Sequence, residues 1–131
     1  MSIAHRYAVV QNTTASKERL MIRLFDTALG HMRNAIRHLE AKERRKAMPL
    51  LDKSSQIVAY LQGTLNRDAA PKLVDDIKEL YVFTVARLSR AILTGNPADV
   101  REAERAFAPI ADGFSRALEK LARQPATPPH P

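Results

Sequence analysis

Cysteine and tryptophan are absent from these 131 residues, and only four glycines, three tyrosines and four phenylalanines are present. Without cysteine there is no disulfide, no thiolate metal site and no thiol nucleophile, which fits a reducing compartment. No apolar run approaches the roughly 20 residues of a membrane span. The opening Met1-Ser2-Ile3-Ala4-His5-Arg6 has no signal-peptide apolar region. The expectation is a cytoplasmic protein with no membrane insertion. The glycines stand isolated at 30, 63, 95 and 113, so no glycine-rich loop cradles a phosphate. No Glu-x-x-His pair of the di-iron bundles occurs, and Ser, His and Asp form no nucleophile motif. Asp75 and Asp76 point to different helix faces and make no carboxylate pair. No enzyme, catalytic residue, metal site or cofactor is expected.

What the chain has is charge and helical periodicity. The formal net charge is +7, unevenly spread: residues 1–46 hold ten Lys/Arg against four Asp/Glu, and residues 47–131 hold eleven against ten. The basic residues of the first part are interleaved with apolar ones at helical spacing, as on a solvated helix face. Apolar residues keep a helical period throughout.

Four helices are expected. The first runs from about Lys17 to about Lys42, with Ser16 as N-cap and Glu18 suiting the helix dipole. Met21, Phe25, Ala28, Met32, Ala35 and Leu39 form its stripe; Ile22, Leu29 and Ile36 widen it on one side, Leu20 and Leu24 on the other. The apolar arc covers about half the helix, wider than a rim helix of a bundle needs. The second helix runs from about Arg45 to Leu65, and Pro49 suggests a later start. The third spans Pro71 to Thr94 and ends at Gly95. The fourth opens with Asn96 as N-cap and Pro97 at its first position, then carries a stripe from Val100 through Phe107 and Phe114. Pro109, in its middle, removes a backbone hydrogen bond and predicts a kink.

Short connections between long helices give an all-α, antiparallel up-down four-helix bundle. The boundaries are an N-terminal arm over residues 1–15, the bundle over 16–123 and a disordered proline-rich tail over 124–131. Ser54 and Thr84, mid-stripe hydroxyls, are expected to bond back to their own helices and allow close packing. His31 and His38, seven apart on a face opposite Met21, Phe25 and Met32, read as solvent histidines.

Some apolar residues fall on the wrong face. Tyr60 and Met48 lie off the second stripe, and Val82 and Phe83 lie to either side of the third. Clustered exposed apolar side chains mark interfaces. Aromatics on sequential helices therefore point to a groove. Ile3, Tyr7, Val9 and Val10 add apolar residues in an uncapped arm.

The order of Tyr7, Thr14-Ala15-Ser16, Leu24-Phe25-Asp26 with Ala28-Leu29, Leu65-Asn66, Leu80-Tyr81, Arg87-Leu88 and Ala91 resembles the FliS family over about residues 7–122. Lys17 stands where members often carry proline, and Thr27 where they have glycine. The tryptophan often found in the last helix is missing, with Phe114 the nearest large aromatic. The resemblance implies an export chaperone that binds the disordered C-terminal segment of flagellin, prevents its polymerisation and delivers it to the flagellar export gate. By position, Tyr7 is the expected arm anchor, and Leu24, Phe25, Ala28 and Leu29 match the first-helix motif. Tyr60, Leu80, Tyr81 and Phe83 are inferred to line the groove.

Three rivals rank below it. A nucleic-acid-binding bundle would use Arg33, Arg37 and Arg44 on phosphates, without a recognised motif. A homodimeric scaffold would bury the off-stripe aromatics against a second copy. A phosphotransfer bundle would use His31, but Met32-Arg33-Asn34-Ala35 lacks the lysine and glycine expected after such a histidine.

Overall fold

In the computed structural model, residues 15–123 are described. Four α-helices follow in order: α1 (Ala15–Glu40), α2 (Arg44–Gly63), α3 (Pro71–Thr94) and α4 (Pro97–Arg123). Each packs on its two neighbours in a closed ring, α1 on α2, α2 on α3, α3 on α4 and α4 on α1. This is the antiparallel four-helix bundle that the short connections require. The expected arm, up to residue 14, and the tail over 124–131 lie outside the described residues.

The core follows the predicted stripes. Met21, Phe25, Met32, Leu51, Val58, Leu61, Tyr81, Leu88, Phe107 and Phe114 are all buried. Phe25 of α1 lies 5.5 Å from Phe107 and 5.1 Å from Phe114 of α4, centroid to centroid. Tyr81 of α3 closes on the other side of Phe107 at 6.0 Å. Tilted ring pairs of this kind contribute about 0.5–1.5 kcal/mol each beyond the area they bury.

Helix ends obey local chemistry. Pro71 and Gly95 bracket α3; Gly95 takes the left-handed conformation (φ 69°) and donates its N–H to the Ala91 carbonyl at 2.8 Å. Arg44, at the start of α2, forks onto the last carbonyls of α3, Ile92 at 2.9 Å and Leu93 at 2.7 Å. A cation there also suits the negative helix end. Asn96 caps α4 through its Oδ1, which accepts the Ala98 N–H at 2.9 Å.

Several expectations need correction. α1 begins at Ala15, so Ser16 lies inside its first turn rather than before it. α1 stops at Glu40 instead of about Lys42, because Lys42 turns left-handed (φ 62°). The Glu43 N–H then reaches the His38 carbonyl (2.8 Å) and the Lys42 N–H the Leu39 carbonyl (3.1 Å). Those two bonds make a Schellman cap with lysine where glycine is usual. α2 starts at Arg44, not later, and so accommodates Pro49 inside the helix. It ends at Gly63, where Thr64 directs both its N–H and its hydroxyl to the Leu61 carbonyl. α4 continues through Pro109 as the single fourth helix that was expected. Met48 is half-buried and packs against the core. Thr84 does bond its own helix, at the Leu80 carbonyl (2.7 Å). Ser54 instead crosses to the Ala28 carbonyl of α1 at 3.1 Å. Ala28 and Ser54 are both small and fully buried, which lets the two backbones approach closely enough.

Two stability predictions follow from this packing. Lys42→Gly removes a left-handed strain of about 1 kcal/mol, partly offset by unfolded-state entropy. It should raise the midpoint of denaturant unfolding, and a lowered midpoint would refute the strain. Phe107→Ala should destabilise the bundle by about 3–5 kcal/mol, read as a fall in the same midpoint.

Candidate functional site

A filled core leaves function to the surface. The large apolar side chains exposed on the described part are Leu20, Tyr60, Leu80, Val82, Phe83 and Leu93, with Leu93 79% exposed. Helical spacing separates them into groups. Leu20 and Leu24 stand one turn apart on the α2 side of α1. Across from them, α2 presents Ile57 and Tyr60, and a surface cleft of about 350 Å³ opens between the two helices. Its walls are Leu24, Thr27 and His31 from α1 and Lys53, Gln56, Ile57 and Tyr60 from α2.

On α3, Leu80, Phe83 and Arg87 follow at helical spacing along the α4 side. The Arg87 guanidinium lies 5.0 Å from the Phe83 ring centre and 3.0 Å from Glu102 of α4. This is a cation–π contact extended into an ion pair. Val82 and Leu93, eleven residues apart, share a different, outward face of α3. Between α1 and α4 runs a larger trough of about 810 Å³ floored by Ile22, Leu29, Ala108 and Ala111, with Asp26, Asp112 and Glu119 facing Arg33 and Arg105 on its walls.

The structure therefore distributes the candidate residues rather than gathering them in one groove. Tyr60 belongs to the α1–α2 cleft and Phe83 to the α3–α4 seam, and those seams lie on opposite sides of the ring. Phe25, Ala28 and Tyr81 are fully buried and offer no side-chain surface to a partner. Their place in the motif is explained by core packing: Phe25 and Tyr81 both hold Phe107. Leu29 is buried at the base of the α1–α4 trough. Leu24, Tyr60, Leu80 and Phe83 keep exposed or half-exposed surface. Tyr7 lies outside the described residues. The sequence reading placed Leu20 in the stripe of α1, whereas half of it is exposed, and it overlooked Lys53 and Leu93. The spacing of Leu93 from Val82 was the available signal for the last.

The arginines suggested for phosphate contact are engaged elsewhere. Arg33 binds Glu104 at 2.8 Å, Arg37 donates to Asn34, and Arg44 caps α3. His31 and His38 are not a ligand pair either. His31 faces the cleft, while His38 meets Glu43 at 3.3 Å. Lys46 also bonds Glu43, at 2.8 Å, and with His38 holds that carboxyl below its ordinary range. Among the described residues no group of three or more His, Cys, Asp or Glu could hold a metal ion, and no helix is long and apolar enough to cross a membrane.

Desolvation in the cleft wall, and then the nearby Lys53 ammonium, push the His31 pKa below its ordinary 6.5. The folded protein thus holds His31 neutral where the unfolded chain protonates it, and stability falls as pH drops through and below about 6.5. Lys53→Gln should raise the His31 pKa in an NMR titration, and His31→Gln should lessen the loss of stability between about pH 7 and 5. An unmoved titration would mean that Lys53 does not face the imidazole.

No curated protein sequence matches the chain. A family model described as flagellar protein FliS matches residues 1–121, taking in all of α1, α2 and α3 and nearly all of α4. A four-helix bundle with apolar side chains on its outer flanks and a match over almost its whole length places this chain in the FliS family of flagellar export chaperones.

Proposed function

We propose that this protein is a cytoplasmic chaperone that binds the disordered C-terminal segment of flagellin, keeps it from polymerising and hands it to the flagellar export apparatus. The observation that carries the reading is the exposed apolar surface on the flanks of a bundle whose core is already complete. Leu24, Ile57 and Tyr60 line one cleft, and Leu80 and Phe83 stand at a seam on the other side. A monomer has no need of such surface for its own stability, and membership of the family supplies the class of partner.

Distribution over several sides suits a disordered client. A segment that folds on binding pays ordering entropy, so it must bury a large area, of the order of 1,000–3,000 Å², to bind well. No single cleft here is long enough for that, whereas a chain wrapped around two or more seams covers it. The engaged segment is then unable to take its place in a filament. Release requires no nucleotide, in keeping with the absence of a phosphate-binding motif.

Calorimetric titration of the full chain with the C-terminal segment of flagellin from the same genome tests the reading. Tight binding with a negative heat-capacity change and a gain of helix by circular dichroism is expected, together with suppression of flagellin polymerisation at one equivalent. Absence of binding, or binding that leaves polymerisation unaffected, would overturn it.

A further inference from the structure

Of the six large apolar side chains exposed on the described part, four belong to one helix: Leu80, Val82, Phe83 and Leu93 of α3. At about 100° per residue, Glu79, Val82, Ala86 and Leu93 fall within roughly 60° of one another. They occupy the side of α3 opposite its buried Ile77, Tyr81, Thr84 and Leu88. Asp76, Phe83 and Arg90, seven apart, follow the edge of that face nearest α4. This is the outward face of a single helix, and the core beneath it is complete.

The face is also electrically polar along its length. The acids of α3, Asp75, Asp76 and Glu79, all stand in its first nine residues. Its arginines, Arg87 and Arg90, stand in the second half, which has no acid. Lys78, in the acidic half, turns into the α2–α3 cleft. Asp75 holds Arg67 at 3.4 Å, whereas Asp76 and Glu79 are exposed and form no ion pair among the described residues. Arg90 touches Asp99 at 3.5 Å with its side chain 63% exposed, which leaves guanidinium donors facing outward.

Such a face is complementary to itself when reversed. Two α3 helices set antiparallel bring acidic half to basic half twice, whereas a parallel pair sets like charge on like. With a twofold axis at the level of Thr84, Val82 lies on the small Ala86 of the second copy. The two Phe83 rings then approach each other beside the axis, and Arg90 of the second copy reaches Asp76 and Glu79. The contact runs from Asp75 to Leu93, eighteen residues or about 27 Å. Two helices paired over that length bury roughly 1,000 Å² in all, at the low end for a specific complex.

We propose that, in the empty protein, a second copy of this chain covers the outward face of α3, the two helices antiparallel about a twofold axis near Thr84. Val82, Phe83, Ala86 and Leu93 supply the apolar contact, and Asp76 and Glu79 against Arg90 fix its direction. Phe83 stands at a seam assigned above to the client, so client and second copy exclude each other there. The pairing itself is independent of the client's identity.

Sedimentation equilibrium of the full chain without client tests it. A reversible monomer–dimer equilibrium with a Kd of the order of 10–100 µM is expected from so small an interface. Val82→Asp should weaken it about tenfold or more. Asp76→Arg with Glu79→Arg in one variant, and Arg90→Glu in another, should each weaken self-association about three- to tenfold at low salt. An equimolar mixture of those two variants should dimerise again, because both reversed contacts then pair opposite charges, a rescue that only the antiparallel twofold produces. Tyr60→Ala, in the α1–α2 cleft, should dimerise like wild type. All the replaced side chains are exposed, so unchanged circular dichroism is expected. Should Arg90→Glu unfold through loss of the Asp99 contact, Val82→Asp and the acid-reversed variant still decide, since both must weaken the dimer. A chain that stays monomeric to about 1 mM, well above the expected Kd, overturns the proposal. So does a dimer indifferent to Val82→Asp, a mixture of folded variants without rescue, or a dimer lost in Tyr60→Ala. Client is absent from every one of these measurements, so their failure leaves the chaperone reading standing.

Discussion

Phe107 lies between Phe25 of α1 and Tyr81 of α3, and the bundle is organised around that contact. In a ring of four helices, α1 and α3 stand on the diagonal and pack mainly through their neighbours. A ring from α4 reaching both is what joins them. Phe114, about two turns further along α4, holds Phe25 from a second position. With these rings fully buried, the axial positions of α1, α3 and α4 are set together, because interiors packed to crystal density do not slide continuously.

That arrangement determines what remains outside. The chain has three tyrosines and four phenylalanines, and Phe25, Tyr81, Phe107 and Phe114 are used in the core. Of the others, Tyr60 and Phe83 stand at the surface, and Tyr7 belongs to the segment before α1. In so aromatic-poor a sequence, two exposed rings are a large share of the total. Neither is needed where it stands to complete the core. Phe83 is steadied by Arg87, whose guanidinium covers its face and is tied to Glu102. Tyr60 has one edge on a cleft and about half its surface in solvent.

How much of this was legible depends on the kind of signal. Pro71, Gly95, Asn96 and Pro97 are backbone-specific residues, and the bounds of α3 and the start of α4 follow from them directly. The end of α1 did not, because Lys42 takes a conformation that composition assigns to glycine. Ser54 was read as bonding its own helix; that it reaches Ala28 depends on how closely α1 and α2 approach, a tertiary fact. The candidate site was legible only in part for a geometric reason. Adjacent helical residues point about 100° apart, so a contiguous motif such as Leu24-Phe25 or Leu80-Tyr81 necessarily splits between surface and core. A resemblance marks such a pair as one unit, but only Leu24 and Leu80 face outward; Phe25 and Tyr81 do not. Periodicity did expose Tyr60, Val82 and Phe83, and it did not tell that Tyr60 and Phe83 face opposite seams.

The seams also divide the labour of holding the bundle together. α1 is stitched to α4 by Arg33–Glu104 and Arg101–Glu40, and α3 to α4 by Arg87–Glu102 and Arg90–Asp99. Exposed pairs like these contribute little stability each, so their effect is mainly on which face of a helix meets which neighbour. Among the described residues no ion pair joins α1 to α2. That seam is held by the Ser54 hydroxyl on the Ala28 carbonyl, where both residues are small and fully buried. Close approach of two backbones draws the inner side chains together and leaves the flanking ones, Leu24, Ile57 and Tyr60, standing proud of the contact. The α1–α2 flank has no carboxylate in its cleft, because Asp26 and Glu40 of α1 lie on the side that faces α4. The same helix can then be fixed firmly on one side and remain open to a partner on the other.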